Sequence, residues 1–168
     1  MATNVKWRPT GAFIFVVLMV TNIDCSKDLI EKMSISFLKN VQDCKKELSA
    51  PDEVIKSLMK FWEEDADLSH RELGCLILCV ASKHELVELD TYKLHHKNAF
   101  EYAKKHGADD DTAKKLITLI QGCESQNEGN SDHCHRIREI AKCYHGHMHD
   151  LKWAPSMEVI IAELMADM

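Results

Sequence analysis

Residues 69–83 read SHRELGCLILCVASK. Two cysteines, Cys75 and Cys79, stand four positions apart in a run whose apolar residues, Leu73, Leu76, Ile77, Val80 and Ala81, recur at helical spacing. Ser69 and Glu72 have the Ser-x-x-Glu order of a capping box, so the helix is expected to begin there. Side chains four apart on a helix point the same way. A bond between Cys75 and Cys79 would therefore be strained. Each cysteine has to tie this helix to a different element, which makes it the centre of a helical cage.

The pattern continues on both sides. Residues 28–48 carry Leu29, Met33, Phe37, Val41 and Leu48 at mostly four-residue steps. Pro51 suits a first helical position and opens residues 54–62, with Val54, Ile55, Leu58, Met59 and Trp62 on one face. Residues 96–106 form another helix, stopped at Gly107. Asp109 can cap the next, which runs through Ala113, Leu116, Ile117 and Ile120. Residues 126–131 are a polar loop, and Ser131 or Asp132 starts a helix through Ile137, Ile140 and Tyr144 to about Asp150. After Pro155 the tail places Met157, Ile161, Leu164 and Met168 on one stripe, a short amphipathic helix. No Asn-Gly or Asp-Gly hairpin turn occurs. The expected class is all-α, with six main helices and an amphipathic C-terminal tail.

The N-terminus has a different use. Lys6 and Arg8 precede an unbroken apolar run at residues 12–20. Spanning a bilayer needs about 20 apolar residues, so the run fits a secretory signal peptide over residues 1–25. Cleavage is expected after Cys25, with Asp24 the nearest rival. Residues 26–168 then form one domain, long enough for a real core. Cleavage leaves Cys44, Cys75, Cys79, Cys123, Cys134 and Cys143, an even set that reads as three disulfides in an exported chain. Spacing alone leaves their pairing open. Each bridge contributes roughly 2–4 kcal/mol. A hollow core loses packing contacts around its void, and such bridges could offset that loss. Resistance to extracellular proteolysis is the plainer account of them. The net charge of −6 repels phosphate backbones, so nucleic acid is not an expected partner.

The cysteine order Cys-x30-Cys-x3-Cys-x43-Cys-x10-Cys-x8-Cys resembles the signature of insect odorant-binding proteins. DCKKEL at residues 43–48, HHKNAFEYAKKHGAD at 95–109 and LKWAPSMEV at 151–159 resemble the moth pheromone-binding branch. That resemblance implies six helices around a closed apolar cavity and the pairs Cys44–Cys79, Cys75–Cys134 and Cys123–Cys143. It implies a secreted carrier of small hydrophobic volatiles (long-chain pheromone alcohols, aldehydes or acetates) through sensillum lymph, without cofactor or metal. An olfactory receptor or neuronal membrane at release, and a homodimer, are the partners to expect. Carried over by position, the ligand site comprises Phe37, Phe61, Trp62, Ile77, Ala81, Ile117, Ile120, Ile140 and Tyr144. Phe, Trp and Ile can enclose a long flexible chain; each is equally an ordinary core residue.

Many members of that family carry a serine two residues after the third cysteine, where its hydroxyl holds the ligand's oxygen. Here the position is Ala81. Ser82 follows, rotated by about 100° around the helix. Ser34, Arg136, the Tyr144 hydroxyl or an ordered water are the remaining candidates for a polar anchor. Tyr144 stands where phenylalanine is common in the family. A pocket so altered is expected to favour an aldehyde or acetate.

His95 and His96 match a pair the family uses near the cavity opening. Imidazole changes charge between pH 5 and 8, and carboxylates resist an apolar cavity less once protonated. Acid is therefore expected to charge His95 and His96, loosen the opening, and let residues 157–168, with Glu158, Glu163 and Asp167, displace the ligand. His145 and His149 have the four-residue spacing of zinc pairs, but no third ligand is fixed by spacing, so these histidines read as surface residues. No Gly-x-Ser-x-Gly elbow is present, and no catalytic residue or enzymatic activity is expected. A saposin-like lipid module shares the cysteine number and helices but not this spacing. Within the family, a general carrier of plant volatiles is the alternative.

Overall fold

The computed structural model describes residues 26–166. They form eight helices: α1 (26–38), α2 (Val41–Leu48), α3 (Asp52–Leu58), α4 (Arg71–Lys83), α5 (His96–Lys105), α6 (Asp110–Ser125), α7 (His133–Asp150) and α8 (Met157–Ala166). The sole extended pairing among the described residues is one antiparallel bridge, Val87 to Leu94, in the α4–α5 loop. The expected signal segment, Asp167 and Met168 lie outside the described residues. No described helix is long and apolar enough to cross a membrane.

The all-α class is as expected; several details differ. The stretch 28–48 is not one helix. At Asn40 the backbone turns (φ −92°, ψ 1°) and the side-chain amide meets Nε2 of His84 at 3.0 Å. Asn readily takes hydrogen bonds that compete with a continuous helix. The next helix ends at Leu58, short of Trp62. Tight bonds from Lys60 N–H to Ser57 O and Phe61 N–H to Leu58 O wind the chain into turns, which carry Phe61 and Trp62 off the helix.

The Ser69–Glu72 capping box does not form. His70 occupies the N-cap of α4 without a side-chain bond. Ser69 N–H donates instead to the Asp67 carboxylate at 3.0 Å, and its carbonyl accepts from Arg138. Other termini follow the sequence. Gly107 takes a left-handed φ of 107° after α5. Asp109 accepts Thr112 N–H at 2.7 Å. Asp132, not Ser131, caps α7: it accepts His135 N–H at 3.1 Å and pairs with Arg71 at 2.6 Å. The Arg71 hydrogen bonds and the capped N–H hold Asp132 well below the usual carboxylate range, at about 2.

α4 is the axis of the bundle, with Leu73, Leu76 and Val80 fully buried. It packs on α2, α3 and α7, while α6 joins α7 to α5. The disulfides Cys44–Cys79, Cys75–Cys134 and Cys123–Cys143 link α2 to α4, α4 to α7 and α6 to α7. These are the partners the resemblance implies. The Cys75–Cys134 Cα atoms are only 4.5 Å apart. Gly74 allows this approach: a Cβ there would lie 1.8 Å from the Cys134 carbonyl oxygen and 2.9 Å from the Arg138 nitrogen. Both are backbone atoms of a packed helix and cannot swing aside.

The tail forms the expected helix, α8, seated on the core. Met157 and Ile160 are its buried pair, with Ile161 and Leu164 packed partly against the core. The buried edge thus departs from the expected stripe at Ile160, because α8 leans on the core with a three-residue step.

Substituting Gly74→Ala is expected to destabilise the fold by about 3 kcal/mol, as overpacking does, and to impair closure of Cys75–Cys134. Gly122→Ala, where an added Cβ meets nothing, should stabilise by up to about 1 kcal/mol through helix propensity. Denaturant unfolding together with a mass-spectrometric count of disulfides checks both.

Candidate functional site: an enclosed apolar chamber

The inward faces of the helices do not meet. They enclose a chamber of about 250 Å³. α1 contributes Ile30, Met33, Ser34, Phe37 and Leu38, a helical stripe with steps of three and four. The turn after α3 supplies Phe61 and Trp62, and α4 supplies Ile77 and Ala81. α6 adds Leu116, Ile117, Ile120 and Glu124; α7 adds Ile137, Ile140, Ala141 and Tyr144. Thus Phe37, Phe61, Trp62, Ile77, Ala81, Ile117, Ile120, Ile140 and Tyr144 all stand in the wall. Sequence reasoning missed Leu86, Val87 and Leu94 of the α4–α5 loop, and Ala99, Tyr102 and Ala103 of α5. The spacing of the last three is helical and could have revealed them. The loop residues carry no periodic signal.

An aromatic corner stiffens one side. Trp62 Nε1–H donates to Ser34 Oγ at 2.9 Å. Phe61 meets the Trp62 ring edge-on at 4.8 Å between centroids, and Tyr144 does so at 6.1 Å. Behind them His145 stacks on Trp62 at 6.1 Å and donates from Nε2 to the Glu63 carbonyl at 3.1 Å. Burial pushes the His145 imidazole down from its usual 6.5; the Glu63 bond opposes this, and neighbouring His149 adds to it. The His149 ring lies 4.3 Å from that of His145. On another wall His84 stacks on Phe37 and abuts Tyr102, and burial lowers it as well. The Tyr102 hydroxyl donates to Met33 O at 2.8 Å, and burial pushes it up to about 12.

The loop 84–95 closes the chamber. Its backbone is latched from three sides: Arg136 donates to Thr91 O at 2.7 Å, Leu94 N–H to Glu124 at 2.7 Å, and Asn98 Nδ2 to Glu85 O at 2.8 Å. Lys93 pairs with Glu128 at 3.1 Å. Arg136 is thereby engaged by the loop and is not in the chamber wall. Ser82 donates to Leu78 O at 2.9 Å and faces a shallow groove shared with Glu85, Glu88, Asp90 and His95, outside the chamber.

The candidate pH groups are spread around this closure. His95 is the N-cap of α5, its Nδ1 accepting Asn98 N–H at 3.3 Å. His96 is exposed and lies against the Gln121 amide at 3.1 Å. Glu158 and Glu163 are exposed on α8. His147 lies beside Cys123 and Cys143, and Glu47 beside Cys44 and Cys79. Sulfurs bound in disulfides are not thiolate ligands.

A chamber of this kind, lined mostly by hydrocarbon and aromatic groups and walled on one side by a latched loop, defines a binding protein for small hydrophobic molecules. The PBP/GOBP family model matches residues 26–147, and the chain belongs to that family, whose members are non-enzymatic carriers of hydrophobic odorants. It is similar to pheromone-binding protein 2 of Epiphyas postvittana, 42% identical over 86% of this chain and 87% of the relative. It is also similar to general odorant-binding protein 1 of Antheraea pernyi, 31% identical over 83% of each. Among solved structures, the pheromone-binding protein 3 of Epiphyas postvittana superposes with a TM-score of 0.63 at 41% identity, covering 70% of this chain and 99% of that one.

Because His84 and His145 bind protons less readily when folded, their contribution to stability is present above the unfolded value near 6.5 and is lost as pH falls through their lower folded values. Thermal unfolding between pH 7.5 and 5 should show this loss. His145→Phe, which keeps a ring against Trp62, should make the acid loss shallower.

Proposed function

We propose that this chain is a secreted carrier of long-chain pheromone components that delivers them to olfactory receptors and releases them in acid. Residues 1–25 serve as the signal peptide in this reading, and residues 26–168 as the binding domain. An olfactory receptor or the neuronal membrane is the partner at release, and a homodimer is the form in which a second copy associates. The observation that carries the reading is the chamber, whose wall is hydrocarbon and aromatic apart from a few polar side-chain groups. Burying about 300 Å² of apolar ligand surface contributes roughly 7 kcal/mol before the cost of lost freedom. The nearer identity to a pheromone-binding relative than to the general odorant-binding one favours long chains over plant volatiles.

Release is assigned to α8, which already sets Met157 in the chamber wall. Glu163 of α8 faces an acidic end of α1. Burial raises the Glu31 carboxyl above its usual 4.5, the charges of Asp28 and Glu163 raise it further, and Lys32 opposes them. A carboxyl raised in the folded state is strained when ionised. Seating of α8 against α1 therefore strengthens as pH falls through that value. A tail seated more firmly in this way takes the ligand's place.

Displacement of a fluorescent probe at neutral pH tests the ligand class: long-chain acetates and aldehydes should compete at least tenfold better than short terpenoids, an energy gap of about 1.4 kcal/mol. The opposite order would make the chain a general odorant carrier. Deleting residues 156–168 should leave neutral binding and abolish release at acid pH; equal release from the truncated chain would refute the role of the tail.

A further inference from the structure

A hydroxyl enclosed in a protein normally keeps a hydrogen-bond partner, because an unpaired one loses its water without compensation. Besides the indole N–H of Trp62, four residues bring polar side-chain groups to the chamber wall: Ser34, Tyr102, Glu124 and Tyr144. Three are engaged. Ser34 Oγ accepts from Trp62, the Tyr102 hydroxyl donates to Met33 O, and Glu124 accepts from Leu94 N–H. The Tyr144 hydroxyl has no hydrogen-bond partner among the described residues, and burial alone accounts for the raised pKa of this phenol. Tyr144 stands inside the protein yet keeps part of its area open, and that area faces the chamber it lines. It therefore stays protonated at any pH of interest, with one hydrogen to give.

We infer that the Tyr144 hydroxyl is the head-group anchor of the chamber, donating its hydrogen to the acceptor oxygen of an otherwise apolar chain, an aldehyde or ester carbonyl. The inference rests on the carrier reading above and names the ligand chemistry of the same site. Ala81 has no group to offer, Ser82 faces outward, and Arg136 holds the loop. Position supports the assignment: the Trp62 ring, fixed by its bond to Ser34, meets Tyr144 at 61° and 6.1 Å, so the phenol is held between α7 and the aromatic corner. A carbonyl oxygen fully satisfies this donor. An alcohol could accept the same hydrogen, but its own hydrogen would then need a second, correctly placed acceptor in the chamber, which a carbonyl does not require. The expected order is aldehyde or acetate first, alcohol second, hydrocarbon last.

The test uses the full mature chain, its Tyr144→Phe variant, and an aldehyde, acetate, alcohol and alkene of equal chain length in probe displacement. Phenylalanine keeps the ring and its contact with Trp62. Tyr144→Phe should weaken the aldehyde and acetate roughly fivefold to tenfold, as loss of one buried hydrogen bond does, and leave the alkene unchanged. Ser34→Ala should alter the carbonyl ligands far less. Equal affinities in Tyr144→Phe and the unsubstituted protein, or an equal loss for every ligand, would overturn the anchor. Infrared spectra of a carbonyl-labelled aldehyde bound to the unsubstituted protein give a readout independent of the variant's folding. A stretch lowered from its value in alkane solvent supports the bond, and an unshifted one refutes it. Failure of the whole series to displace the probe, alkene included, would refute the carrier reading itself.

Discussion

The chain turns on a contact between two backbones. At Gly74 the axis helix α4 runs so close to α7 that any side chain would collide with the Cys134 carbonyl. That approach sets the spacing at which Cys75 reaches Cys134. Further along the same two helices, Ile77 and Ala81 on one and Ile140 and Tyr144 on the other line the chamber. Cys44–Cys79 and Cys123–Cys143 then fix α2 and α6 to this pair, so the void cannot close by sliding helices together.

A void of this kind costs packing energy, and the described core holds no buried charged group that might fill it with water. Its wall stays apolar while its closure is polar. The loop 84–95 is fastened mostly by main-chain hydrogen bonds, its carbonyls accepting from Arg136 and Asn98 and its Leu94 N–H donating to Glu124, with Leu86, Val87 and Leu94 in the chamber wall. Bonds of this sort contribute about 1 kcal/mol each and can be exchanged with water one at a time. The loop therefore sits at the low-stability end of the molecule, beside a bundle that three disulfides hold rigid.

Much of this was legible in the sequence. Helical periodicity located every main element, and the spacing of Cys75 and Cys79 required separate partners for each. Seven of the nine family positions lie in the chamber wall because they occupy the inward turns of helices whose phase the apolar pattern already sets; Phe61 and Trp62 reach it from the turn after α3. What sequence could not give was tertiary in origin. The break at Asn40 depends on His84, forty-four residues away. The failed cap at Ser69 depends on Asp67 and Arg138 together. Arg136 looked like a ligand contact and is a latch, which follows only from the path of an aperiodic loop. Tyr144 was visible as a departure from the family's phenylalanine, but its missing partner could be known only from its surroundings.

The titratable groups divide by sign. His84 and His145 back the walls at Phe37 and Trp62, and burial disfavours their charged forms, so acid loads strain onto the very surfaces that hold a ligand. Burial, then the charges of Asp28 and of Glu163 on α8, disfavour the charged form of Glu31, so acid relieves strain there. One group of residues alone would make acid merely destabilising or merely stabilising. Here both senses occur in one fold: His84 stacks on Phe37 of α1, the helix that also carries Glu31, and the disulfides connect α2, α4, α6 and α7 without involving either α1 or α8.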